Sequence, residues 1–185
     1  MTANTTPASL EWGHGPKILE VFLEPTCPFS GRAYAKLDAL LARAGADHLT
    51  IRIRLQSQPW HTFSPVTTRA ILSAAATPGG REAARQVMTA IYAHRAEFEP
   101  EDHCRGPLLD ESPATMLARI ETLSGLSLRA LFERGELTQA VKWQARYARQ
   151  NGIHVSPTFM LDGLIVADMN SGDEIDAWLQ KLGLA

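Results

Sequence analysis

Cysteine is scarce in this chain, with two among 185 residues, Cys27 and Cys104, far apart along the sequence. Two such residues make neither a disulfide framework nor a zinc-ligand spacing, and they point to a reducing, cytoplasmic compartment. Long apolar runs are missing as well. No stretch approaches the roughly 18 consecutive apolar residues that a membrane span needs, so the chain is expected to be soluble. Neither sign of charge is in excess: 18 Lys and Arg face 20 Asp and Glu, for a formal charge of -2. The arginines are scattered among acids and apolar residues, which argues against a nucleic-acid partner. The first fifteen residues hold no lysine or arginine and no apolar run of secretory-signal length, so nothing in them directs export. What is present is ordinary for a globular protein, with 45% hydrophobic and 21% charged residues. The length suits one buried core, or a smaller fold carrying a compact insertion.

After a polar leader over residues 1–16, Lys17-Ile-Leu-Glu-Val-Phe-Leu-Glu24 reads as a buried strand closed by Pro25. From Ser30 onward Tyr34, Leu37, Leu41 and Ala44 recur at helical spacing up to Gly45. Residues 49–55 then alternate, with Ile51, Ile53 and Leu55 on one face and Arg52 and Arg54 on the other. Strand, helix, strand in that order predicts a parallel pair. Residues 64–152 form a helical block, broken by a turn at Thr77-Pro-Gly-Gly80 and a loop over 97–110. One stripe in it is Ala84, Val87, Met88, Ile91 and Tyr92. Ser112-Pro113 marks a helix start, and Gly125, Gly135 and Asn151-Gly152 mark stops. Strand chemistry returns as a hairpin over 157–166 turning at Asp162-Gly163. Ser171-Gly-Asp-Glu174 has capping-box spacing before a last helix with Ile175, Trp178, Leu179 and Leu182 inward.

The chemistry is expected at Cys27, between the first strand and the first helix in Glu24-Pro-Thr-Cys-Pro-Phe-Ser30. A thiol at a helix start meets unpaired backbone N–H groups and the positive end of the dipole, which favour a thiolate, and the Ser30 hydroxyl is placed to bond the sulfur. The plain alternative is a small buried hydrophobe. Cys27-Pro-Phe-Ser30 after a strand resembles the Cys-x-x-Cys motif of thioredoxin-like proteins, in particular DsbA and DsbG. Gly152-Ile-His-Val-Ser-Pro-Thr-Phe159 resembles the family segment in which a cis-proline faces the active cysteine. The resemblance implies a mixed α/β thioredoxin-like sheet flanked by helices, made by residues 17–63 and 153–185, with 64–152 as an inserted all-helical domain. It also implies Cys27, Ser30 and Pro157 as the catalytic positions and Pro28, Phe29, Ser156 and Thr158 as substrate contacts; His61, which with Trp60 follows the second strand and precedes the helical block, is placed by that position either at the border of the groove, as a further substrate contact, or in a plain packing and hydrogen-bonding role.

The departure from the family is Ser30, which stands where dithiol enzymes carry a resolving cysteine. Cys27 can then form a mixed disulfide but cannot release it within the motif, so an external thiol such as glutathione would finish the cycle. The expected activity is monothiol disulfide exchange or isomerisation on a thiol or disulfide protein or a glutathionylated thiol. No tightly bound cofactor is expected, and the chain is read as monomer or homodimer. Two other readings stay open. One is a glutathione-dependent isomerase or transferase, similar to kappa-class transferases and 2-hydroxychromene-2-carboxylate isomerases, which usually place serine where Cys27 stands. The other is a non-catalytic binding or redox-sensing module. Cys104 is weighed as a remote resolving thiol and read as a loop cysteine without a role. No metal site is expected, since His103 qualifies only if two further ligands converge on it. His154, close to Pro157, is read either as tuning the Cys27 thiolate or as a solvated loop histidine, and Glu24, at the end of the first strand, either accepts a proton near the thiol or opposes thiolate formation.

Overall fold

Seven residues from Lys17 to Leu23 make the central strand of the sheet, β2, and everything after Ile18 in it is buried. The computed structural model describes residues 9–100, 102–103 and 105–185. Branched and aromatic side chains on both faces of β2 leave it no solvent side, so it is covered above and below. It pairs in parallel with β3 (Leu49–Leu55), from Lys17 against Leu49 to Leu23 against Leu55. On its other side it runs antiparallel to β4 (Thr158–Leu161), which turns at Asp162-Gly163 into the short β5 (Leu164–Ile165). A further strand, β1 (Glu11–Gly13), lies antiparallel on β3. It falls within the stretch expected to be a polar leader, where Leu10, buried in the core, and Trp12 are the large apolar side chains beside it. The sheet order is β1-β3-β2-β4-β5, a mixed five-stranded sheet. The predicted parallel pair is there, and so is the hairpin.

Helices complete the architecture: α1 (Pro28–Tyr34) and α2 (Leu37–Ala44) between β2 and β3, then α3 (Ser64–Ala75), α4 (Gly80–Ala93), α5 (Pro113–Ser124), α6 (Arg129–Phe132) and α7 (Glu136–Gln150), and last α8 (Ile175–Lys181). The single helix expected after Ser30 is two. Lys36 N–H donates to Ala33 O rather than one residue further back, which tightens the turn, and the Lys36 ammonium reaches the carbonyls of Ser171 and Asp173. Ser112 caps α5 as expected, accepting from Thr115 N–H at 3.1 Å, and Gly125 ends that helix in the left-handed region. Two expected ends are corrected. Gly135 precedes α7 instead of ending a helix, since α6 has already stopped at Phe132. The cap position of α8 is Glu174, not Ser171, whose carbonyl is taken by Lys36.

The two faces of β3 are buried by different means. Ile51, Ile53 and Leu55 enter the main core, which runs without interruption from the sheet through Ile71, Met88 and Met116 of the helical block to Trp178 of α8. Arg54, on the opposite face as expected, lies under α7. Its guanidinium sits 4.9 Å from the Trp143 ring centre and 4.7 Å from that of Tyr147, and Nε donates to Glu20 Oε1 at 2.6 Å. Tyr147 O–H closes the group on Glu20 Oε2 at 2.8 Å. Among the described residues no helix is long and apolar enough to cross a membrane.

Candidate active site

Cys27 occupies the cap position of α1, with an extended backbone and a carbonyl that accepts from Gly31 N–H at 3.0 Å. Pro28 follows at the first helical position, where a missing N–H costs nothing and a fixed φ starts the helix. The strand ends at Leu23 and the helix begins at Pro28, which leaves the thiol at the junction. Cys27 is 5% exposed, and its Sγ lies 3.7 Å from the carbonyl oxygen of Ser156. The Ser156–Pro157 peptide is cis. The 153–156 segment is held against the end of β3 by two glutamines, Gln56 donating to Ile153 O and Gln58 to His154 O.

An open groove of about 400 Å³ starts at the thiol. Cys27, Pro28, Phe29, His61 and Ser156, all expected at the site, line it together, and Trp60, Arg95, His103 and Val155 complete much of its wall. Phe29, Trp60 and Val155 are each more than half exposed, so the rim is apolar and wet. The other expected residues sit elsewhere. Pro157 is half-buried behind Ser156. Thr158 starts β4 opposite Phe22, and its hydroxyl donates to Val155 O at 2.8 Å. His154 is exposed. Ser30 is fully buried, and its hydroxyl accepts from Glu24 N–H at 3.1 Å. The bond expected from that hydroxyl to sulfur is replaced by one that ties down the end of β2. Cys104 lies outside the described residues.

Beneath the groove is a polar layer that the sequence shows only in part. Glu24 is fully buried, and its Oε2 accepts from both the N–H and the hydroxyl of Thr26, at 2.7 and 2.9 Å. With its proton given to Glu24, the Thr26 hydroxyl accepts from His61 Nδ1–H at 2.7 Å, which fixes the direction of the chain from imidazole to carboxylate. Burial pushes the Glu24 carboxyl up to about 7, and burial, with His103 and Arg95 adding to it, pushes His61 down to about 4. His61 is therefore a neutral imidazole at physiological pH. Beyond it stand Glu99, 2% exposed and raised by burial, and His103, whose Nδ1 is 2.5 Å from Glu99 Oε1. His61 and His103 rings lie 4.9 Å apart. Two side chains of ligand type, His61 and Glu99, converge on His103, and Glu99 is the residue that sequence reasoning passed over. The adjacent Phe98, fully buried, is an apolar signal that this part of the loop turns inward.

A thioredoxin family model matches residues 13–181. The chain belongs to the thioredoxin family. A candidate protein-disulfide isomerase from Pseudomonas syringae is 59% identical, with 94% of this chain and 97% of that one covered at a TM-score of 0.93. At 18% identity, Pseudomonas aeruginosa DsbA2 shares the fold, covering 97% of this chain and 96% of its own at a TM-score of 0.62. Chlamydia trachomatis DsbA does so at 17% identity, 99% and 94% coverage and a TM-score of 0.58. No functionally curated protein matches the chain in sequence. The thioredoxin-family membership accounts for the placement of a cysteine at the first helix start opposite a proline-bearing loop, and Ser30 is where this member parts from the dithiol pattern.

Proposed function

We propose that this protein carries out thiol-disulfide exchange through Cys27 alone, with glutathione or a similar small thiol completing the cycle. The observation that supports it best is the position of the sulfur: at a helix start, against the Ser156 carbonyl, at one end of an open groove with an apolar rim. The likeness to a candidate protein-disulfide isomerase points the same way. In the reaction the Cys27 thiolate attacks one sulfur of a disulfide, a new S–S bond forms, and the other sulfur leaves as a thiolate that takes a proton from water. Glutathione then attacks the mixed disulfide at the substrate sulfur. Cys27 departs as thiolate, and the substrate leaves as its glutathione mixed disulfide. An extended segment carrying the target cysteine would lie along Ser156, its backbone pairing with the loop and its apolar side chains resting on Phe29, Trp60 and Val155. A reducing, cytoplasmic compartment belongs to the same proposal, because it supplies reduced glutathione, and cell fractionation checks it.

The decisive experiment offers oxidised glutathione to the Cys104→Ser protein and follows intact mass, with reactivation of a disulfide-scrambled ribonuclease as the activity. One glutathionyl group on Cys27, together with turnover that Cys27→Ser abolishes, is the expected result. No adduct and no reactivation above the glutathione background would replace this reading with a binding module.

A further inference from the structure

The polar layer under the groove holds a charge pattern that disulfide exchange does not use. His61, Glu99 and His103 each present a ligand atom, and these atoms lie within 4.8 Å of one another. Glu99 supplies the stronger sign. Its carboxylate is almost wholly buried; Oε1 meets His103 and the Thr62 N–H lies near the carboxylate, yet Oε2 has no hydrogen bond of good geometry and faces His61 Nδ1 at 3.7 Å, too far for one. A buried carboxylate oxygen with no donor is costly, and a cation is one group that repairs it.

We propose that His61, Glu99 and His103 form a zinc site that opens on the Cys27 groove. Two imidazoles and a carboxylate are the nitrogen and oxygen donors that zinc takes, whereas magnesium or calcium would call for an oxygen set. Zinc bonds of about 2.0–2.2 Å place tetrahedral ligand atoms roughly 3.3–3.6 Å apart. Bringing these three to that spacing takes a shift of about an ångström, and His103, half-exposed and held at its ring by Glu99, is the side chain with room to make it. Binding exchanges two proton-bridged contacts, His103 with Glu99 and His61 with Thr26, for bonds to one ion. Any proton displaced from a ring nitrogen passes to water. Both histidines line the groove and Glu99 does not, so the coordination position left over points to where a substrate would lie. A thiolate or carboxylate of that substrate is the class of ligand that would complete it.

The test uses the full chain with Cys27→Ser and Cys104→Ser, so that no thiol can bind the metal. Zinc chloride is titrated by calorimetry, and cobalt(II) is added in parallel to read the intense visible bands of a four-coordinate site. One zinc per chain is expected, with affinity at least tenfold weaker when His103→Ala is added. His103 is half-exposed, so that variant should keep its fold, which far-ultraviolet circular dichroism verifies. The inference is overturned by absence of zinc binding, by binding that His103→Ala leaves unchanged, or by binding seen only when the cysteines are present. Because the thiols are removed, the outcome is independent of whether Cys27 turns over disulfides.

Discussion

At position 30 a hydroxyl serves the backbone where a dithiol relative would keep a sulfur. The Ser30 side chain accepts the N–H of Glu24, a buried donor at the end of β2, and the next three residues lead straight to the thiol. Ser30→Ala should therefore cost about 1–3 kcal/mol, the penalty of a buried donor left unmet, measured as a lower urea midpoint with an unchanged slope. Ser30→Cys is the more informative change. Under oxidised glutathione that variant should close a disulfide between Cys27 and the introduced thiol and no longer accumulate the glutathione adduct, read by mass before and after reduction. Persistence of the adduct at wild-type level in that variant would show that the two side chains cannot meet.

Among whole elements, β2 and α7 are joined by charge. Glu20 is 4% exposed and holds both Arg54 and Tyr147, so Glu20→Ala leaves a guanidinium buried beneath two aromatic rings without its counter-ion. A loss of about 3–5 kcal/mol is expected in chemical denaturation, and the Glu20→Leu, Arg54→Leu pair should recover most of it. At the other end of the sheet, Lys181 of α8 donates to Asp173 at 2.8 Å, and this bond, helped by Asn170 N–H, holds the Asp173 carboxyl below its usual range. A depressed acid stabilises the fold above its unfolded value of about 3.9 and loses that contribution as pH falls through the folded value. Asp173→Asn should cost no more than about 1 kcal/mol at neutral pH, since the pair is partly in water, and should flatten the decline in stability below about pH 4. Elements were also what the sequence showed most clearly. Alternation in 49–55 and the apolar run in 17–23 set the central strands, and Ser112-Pro113 and Gly125 marked both ends of α5. The tight turn at Lys36 was hidden because its cause, the Ser171 and Asp173 carbonyls, lies at the far end of the chain. The strand at Trp12 was hidden because three residues carry too little pattern. Cys27, Phe29 and Ser156 stand in local motifs, but Glu99 meets His61 only through folding, and the neighbouring Phe98 shows that the loop turns inward without showing which residues it meets.

Across the molecule, the core is shared between the sheet and the helical block: Leu19 and Ile53 belong to the same buried cluster as Ile71, Met88 and Met116. Sheet and insertion should therefore unfold together, with tryptophan fluorescence and far-ultraviolet circular dichroism giving one coincident transition in urea. Two separated midpoints would show that the block folds by itself. This arrangement has a further effect during synthesis. The reactive thiol and the carbonyl that covers it are 129 residues apart in the chain. At ribosomal speeds of about 5–20 residues per second, Cys27 emerges on the order of 10 seconds before Ser156 exists to meet it. Each newborn copy thus passes through an interval with its sulfur open from every side, and only when the Ser156 loop folds over it does the groove become the route of approach.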